Sequence, residues 1–299
     1  MLGSTPSGTP REVALAINLG GRHVCSFQNG YLLVSEVDRL TLTVVDVKGN
    51  VAGSFRPSLA EAAVTAVLHG AVSPDGTVVV AAEAQSADGR YANLLVFTDC
   101  KGSLRRVVRT NPFAAIRPRF LSDGRLLCVG RELDGQLDEV PGFHLFRFYS
   151  PEGRLLKTAV PIDVLRPNRR DSEPTEWEVA VAPGRIGLLD YRELRYAEFD
   201  ENGEMIRPLE RLGFDPPARA NGFALLSNGA LLIAVIHHAS PRGPHQFGLY
   251  LLRDTGGRFK IRQVTGVGPA EGFFVLGVHR GEVALATSQS MFFVPESAL

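Results

Sequence analysis

The stretch AVSPDGTVVVAAE, residues 71–83, breaks an apolar run at Ser73-Pro74-Asp75-Gly76 and resumes it as an alternation ending on Glu83. Asp-Gly supplies the positive-φ residue that a tight hairpin requires, so the segment reads as two antiparallel strands around a turn. Near-copies recur as RFLSDGRLLCVGRE (119–132), EVAVAPGRIGLLD (178–190), FALLSNGALLIAVIH (223–237) and VLGVHRGEVALATS (275–288), with a looser copy in HVCSFQNGYLLVSE (23–36). Their turn glycines, Gly30, Gly76, Gly124, Gly184, Gly229 and Gly281, lie 46, 48, 60, 45 and 52 residues apart. That is a six-fold period.

A second series of turns follows the first, at DVKGN (46–50), DCKGS (99–103), SPEGR (150–154), DENGE (200–204) and DTGGR (254–258). The segments between turns are short, rich in Val, Leu, Phe and Tyr, and alternate in pieces such as LTLTVVDV (40–47), so each unit reads as four strands. For the second unit these fall near 66–73, 77–83, 93–99 and 104–109. A four-stranded sheet cannot bury both faces until neighbours pack against it, and units of this size repeated six times predict an all-β, six-bladed β-propeller of antiparallel blades. The last unit supplies only three strands, FFVLGVH (273–279), EVALATS (282–288) and MFFVP (291–295). EVALAINL (12–19) belongs to no other unit and is expected to complete that blade and close the ring, which removes the open edges. Residues 1–299 are thus expected to form one domain, with residues 1–10 disordered. The one window compatible with a helical turn is PSLAEAAVTAV (57–67).

The pattern x-S-x-D-G-x-ϕ-ϕ-V-x-D/E, followed by an apolar strand, D-x-x-G and an outer strand, resembles the NHL-repeat and gluconolactonase-like group of six-bladed propellers. The resemblance covers nearly the whole chain, and its motifs specify a blade rather than an activity. It departs at APGR in the fourth unit, and the third and fifth units lack the acidic residue ending the second strand. The hydrolases of that group hold a divalent cation with a glutamate at the start of an inner strand, an asparagine in P-N-G and an aspartate from a further blade. The resemblance implies Glu271 in PAEGFF, Asn221 in ANGFALLSNG and Asp190 for those roles, with Ca or Zn as the divalent cation and His237 as a possible base. Here Glu271 follows Asn221 in the chain instead of preceding it.

Lys plus Arg and Asp plus Glu number 32 each, which removes the overall basic field that nucleic-acid or acidic-membrane binding needs. The 24 aromatic residues (17 Phe, 6 Tyr, 1 Trp) fall mostly in strands and not beside a basic stripe. Cys25, Cys100 and Cys128 are odd in number and lack CxxC spacing, so they read as buried free thiols rather than as a disulfide framework or zinc site. No run approaches a membrane span, and the first 20 residues lack a signal peptide's basic start and apolar core. The chain is expected to be soluble and, as given, cytoplasmic; export is the alternative if its N-terminus has been trimmed.

Function is expected on the face that carries the long inter-strand loops, because a rigid scaffold displays its binding residues there. The longest, residues 161–177, holds Arg166, Arg169, Arg170 and the single tryptophan, Trp177. It reads as a solvated loop with Trp177 tucked under the next blade, or as a lid. Arg117 and Arg119 in IRPRF begin the third inner strand and could face an anion, with Glu132 and Asp123 as their ordinary partners. HHASPRGPH places His237, His238 and His245 together, in a spacing that matches no established zinc pattern. Glu36, Glu83 and Asp190 end second strands, where a carboxylate more often accepts backbone N–H bonds than coordinates calcium. Two readings follow. One is a module that binds a protein, a peptide or a small polar ligand through Arg117, Arg119, Trp177 and His245, with no cofactor. The alternative is a metal-dependent lactonase or esterase at the channel.

Overall fold

The computed structural model describes residues 9–166, 176–214, 218–238, 245–267 and 272–299, apart from the side chains of His238 and His245. After β1 (Arg11–Ala14), the first blade comprises β2 (His23–Gln28), β3 (Tyr31–Ser35), β4 (Leu42–Asp46) and β5 (Val51–Phe55). The second holds β6 (Ala62–Val72), β7 (Val78–Ser86), β8 (Tyr91–Thr98) and β9 (Leu104–Arg109). The third holds β10 (Phe113–Phe120), β11 (Leu126–Glu132), β12 (His144–Tyr149) and β13 (Leu155–Pro161), and is followed by a single turn of helix, α1 (Ile162–Leu165). The fourth runs through β14 (Trp177–Ala182), β15 (Arg185–Asp190), β16 (Arg195–Phe199) and β17 (Met205–Arg211), and the fifth through β18 (Ala218–Leu225), β19 (Leu231–His238), β20 (His245–Asp254) and β21 (Phe259–Val264). The sixth is β22 (Phe274–His279), β23 (Glu282–Ala286) and β24 (Ser290–Pro295), with β1 as its fourth strand.

Six four-stranded antiparallel sheets therefore form the expected propeller. The six inner turn glycines all adopt φ between 75° and 85°, the left-handed region a side chain disfavours. Ring closure is as read, although the strand is shorter than residues 12–19. Arg11 to Ala14 pair with Phe293 to Ser290, and beyond them only Leu15 and Leu19 continue, donating to the carbonyls of Gln289 and Ser288.

The core is split into six parts, one between each pair of adjacent blades. β7 shows why. Val78, Val80 and Ala82 enter the cluster shared with the first blade, while Val79 and Ala81 enter the cluster shared with the third. Successive side chains point to opposite sheet faces and here both faces are covered, which explains a continuous apolar run in a strand. Blade contacts are also close at the outer strands. A Cβ on Gly53 would lie 1.9 Å from the carbonyl oxygen of Cys100 in the next blade. Gly53→Ala is expected to force the two blades apart and cost about 1–3 kcal/mol, read as a lower urea midpoint with unchanged slope.

The helical reading of residues 57–67 is corrected. Ala62–Val67 is the extended start of β6, paired with β7 as far as Ser86, and Val64 and Val67 pack into the core between the first two blades. The partner strand overrides the local helix preference of the alanines. Helix appears instead at α1, where Ile162 and Leu165 are buried in the third-to-fourth blade core. Among the described residues no helix is long and apolar enough to cross a membrane.

Candidate ligand site in the central channel

The first strand of each blade faces the central channel, where a cavity of about 590 Å³ opens. Its walls come from β2, the end of β10, β14, β18 and β22, and β6 of the second blade contributes nothing to them. The cause is Gln28. Its buried amide donates to the Phe120 carbonyl at 2.6 Å and accepts from the Phe120 N–H at 3.0 Å, joining the first and third blades across the channel side of β6.

Register places the polar residues. In each blade, consider the inner-strand residue opposite the fifth position after the turn glycine. It is His23 opposite Ser35, His69 opposite Ala81, Arg117 opposite Val129, Glu178 opposite Leu189 and Phe274 opposite Ala286. In β18 the same level falls on the bulge that holds Asn221 and Gly222. One layer of the channel thus carries two histidines, an arginine, a glutamate and an asparagine. This level lies seven residues before the turn glycine in β2, β6, β10 and β22, whose pairings all contain bulges, and six before it in β14, whose pairing has none.

Arg117 and Glu178 form a bidentate pair, Nε to Oε2 at 3.2 Å and Nη2 to Oε1 at 2.8 Å. The Arg117 side chain is 6% exposed and that of Glu178 32%. Burial raises the Glu178 carboxyl, but the charge and hydrogen bonds of Arg117 outweigh it and hold the group at about 2. Arg119 differs. It is buried, and it donates to three backbone carbonyls: that of Val179 at 3.2 Å from Nε, of Pro118 at 2.8 Å from Nη1 and of Cys25 at 3.4 Å from Nη2. No carboxylate among the described residues pairs with it, and burial lowers it to about 10, still charged at neutral pH. His23, on the cavity wall, and the buried His69 meet edge to face with centroids 4.6 Å apart. Burial lowers the pKa of both rings, and pushes the Cys25 thiol up to about 12.

The other expected residues separate. Trp177 is 1% exposed in the core between the third and fourth blades, so it packs the scaffold and does not contact a ligand on the open face. The expected partners of the two arginines are taken, since Glu132 pairs with Arg147 at 2.5 Å and Asp123 with Arg125 at 2.5 Å. Asp190 is fully buried, accepts the N–H groups of Arg192 and Glu193 at 3.0 and 2.9 Å, and pairs with Arg195 at 3.2 Å. It braces a turn and does not line the cavity. Asn221 does line the cavity, with its amide nitrogen 2.6 Å from the Phe273 carbonyl. Asp190 and Asn221 therefore do not form the ligand set that the family resemblance implies, and Glu271 lies outside the described residues. His237 bonds to the Tyr250 hydroxyl at 2.9 Å beside Phe214 and is not a cavity residue. His238 and His245 are register partners at the end of the β19–β20 hairpin. Glu36 binds Arg22 and accepts from Thr43 at 2.8 Å, a structural role.

His23 and His69 were not legible as site residues from sequence. The signal that could have found them is their separation of 46 residues, equal to the separation of Gly30 and Gly76.

No protein-family model matches the chain, and a search of curated proteins finds no match. Solved structures do match. A member of the DUF4221 family from Bacteroides vulgatus is 10% identical, with 95% of this chain and 96% of that one covered at a TM-score of 0.56. A glucose dehydrogenase is 15% identical over 96% of this chain and 99% of that one, TM-score 0.51, and the Hadza microbial sialidase Hz136 is 12% identical over 93% and 66%, TM-score 0.54. Identities this low show a shared fold and leave function to the site.

Proposed function

We propose that the protein binds a small anionic organic molecule in its central channel, with the charged group at Arg119 and the apolar part against Phe223, Val275 and Leu276. The observation that carries this reading is Arg119, a buried guanidinium on the cavity wall to which no carboxylate among the described residues is hydrogen-bonded. A guanidinium has five N–H donors. Three go to backbone carbonyls, which leaves two donors and a full positive charge on the wall of the cavity. A buried charge without a counterion is costly, and a bound carboxylate or phosphate relieves that cost through charge-assisted hydrogen bonds. Arg117, Glu178 and Arg119 together carry one net positive charge, and the Arg117–Glu178 pair is already bonded within itself. The cavity falls within the roughly 300–1,000 Å³ typical of small-molecule sites.

A thermal-shift screen of carboxylates and phosphate esters with apolar bodies, beside their neutral analogues, tests the reading. Anionic compounds are expected to raise the melting temperature and to bind Arg119→Met about 10- to 100-fold more weakly, the loss of a hydrogen bond to a charged group. Ligands that prefer the neutral form, or that bind Arg119→Met as tightly, would overturn it.

A further inference from the structure

We infer that His23, Cys25 and His69 form a transition-metal site suited to Zn²⁺ in the wall of the channel. The three side chains come from the inner strands of two adjacent blades, and one ligand atom from each lies within 4.8 Å of the others. Nδ1 of His23 and Sγ of Cys25 are 3.9 Å apart. Two such atoms on one tetrahedral zinc, at bond lengths of about 2.0–2.1 Å to nitrogen and 2.3 Å to sulfur, stand roughly 3.6 Å apart. A small rotation of the exposed His23 ring closes the difference.

His69 is prepared independently of that spacing. Its Nδ1 lies 3.1 Å from the backbone carbonyl of Cys25, deep in the structure. A carbonyl only accepts, so Nδ1 carries the proton and Nε2 carries the lone pair. Ligating histidines are commonly oriented by just such a bond from the second nitrogen to a backbone carbonyl. The hydrogen bond also ties the ring of one ligand to the main chain of another, so two ligands are fixed relative to each other before an ion arrives.

The donor set selects the metal class. One sulfur and two imidazoles favour zinc or copper over magnesium or calcium, which prefer oxygen. On binding, the Cys25 thiol releases its proton to solvent and becomes the thiolate that ligates. That negative charge offsets one of the ion's two; Arg117 is paired with Glu178, and the positive charge of Arg119, 3.4 Å from the Cys25 carbonyl, favours the thiolate while opposing the ion. His23 and Cys25 line the cavity while His69 sits behind them, so the open side of the cluster is the cavity itself. A site with three protein ligands and one open position is the arrangement of catalytic rather than structural zinc. The inference does not rest on the anionic-ligand reading, since Arg119 is not a ligand and either can fail alone.

The experiment is a titration of the full-length, EDTA-treated protein with Co²⁺, whose bond to a thiolate produces a charge-transfer band in the near ultraviolet. One equivalent is expected to produce the band and Zn²⁺ to bleach it. Cys25→Ser should abolish it, and Cys100→Ser, a half-buried thiol in another part of the ring, should leave it intact. If Cys25→Ser fails to fold, His23→Ala serves instead: the residue lies at the cavity surface, so the variant should still fold cooperatively while Co²⁺ affinity falls at least tenfold. No band from the folded wild type would overturn the site. So would a band that survives in folded Cys25→Ser, one lost in Cys100→Ser, or unchanged affinity in His23→Ala.

Discussion

Removal of residues 1–20 is expected to lower the melting temperature by roughly 10 °C and to make the protein self-associate. The deleted segment includes β1, whose four residues pair with β24, and Leu19, which is buried between the last and first blades. Val13, Leu15 and Ile17 pack half-buried against the same cluster. Burying a leucine-sized side chain stabilises by about 1.5–3 kcal/mol. The loss of these side chains, and of the cover they give Met291 and Phe293, outweighs the regained chain entropy by about 3–5 kcal/mol, and each of those is worth a few degrees. The turn at Gly49 adds a lock: Ala16 donates to its carbonyl at 2.9 Å, and a Cβ there would stand 2.1 Å from the oxygen of Ala14. With β1 gone, β24 becomes an apolar edge with unpaired backbone groups, a template for pairing with a second molecule. Calorimetry and size-exclusion chromatography read both effects. A cooperative melt at the wild-type temperature from a monomeric truncated chain would show that the ring does not depend on this strand.

Glu178→Gln is expected to destabilise the protein by about 3 kcal/mol at pH 7, because it leaves the buried Arg117 guanidinium without its counterion. The value sits at the low end for a broken buried pair because Glu178 faces the cavity, where water can partly solvate the orphan. Replacing both partners, as Arg117→Met with Glu178→Leu, should recover most of the loss, since a pair of apolar side chains carries no desolvation cost. The sign with pH is fixed by the depressed carboxyl. A group held at about 2 when folded, against its ordinary 4.5, contributes stability in full above 4.5 and loses it as pH falls toward 2. The gap between wild type and Glu178→Gln should therefore be constant from pH 7 to about 5 and shrink below 4.5. Denaturant titrations across that range measure it. A gap independent of pH would mean that Glu178 acts through packing and not through charge.

Much of this architecture is written locally. The Asp-Gly, Asn-Gly, Pro-Gly and Arg-Gly turns at a period of 45–60 residues set the number of blades, because a positive φ is needed at each reversal and glycine meets it most cheaply. The unfinished sixth unit and the spare N-terminal strand together predict closure. The helical reading of residues 57–67 failed for a non-local reason: Ala62 to Val67 owe their extended form to β7, as much as 24 residues further on at the far end of the pairing, between Ala62 and Ser86.

The site was legible only in its scaffold. Arg117 and Arg119 could be flagged from IRPRF, but their difference could not, because Glu178 pairs with Arg117 from 61 residues away, while Arg119 donates to backbone carbonyls and to no carboxylate among the described residues. Asp190 matched a family position in sequence and proved to cap its own turn. His23, His69 and Arg117 each stand seven residues before their turn glycine and Glu178 six, but the spacing does not say which of these side chains reach the cavity: His23 and Glu178 line it, and His69 and Arg117 do not. The number of blades, the strand pairs within each and the closing strand follow from the order of residues alone, since they depend on turns and alternation inside a few residues. Which side chains at the channel level reach the cavity, and which of the two arginines pairs with a carboxylate, was decided by the packing of six sheets around a common axis.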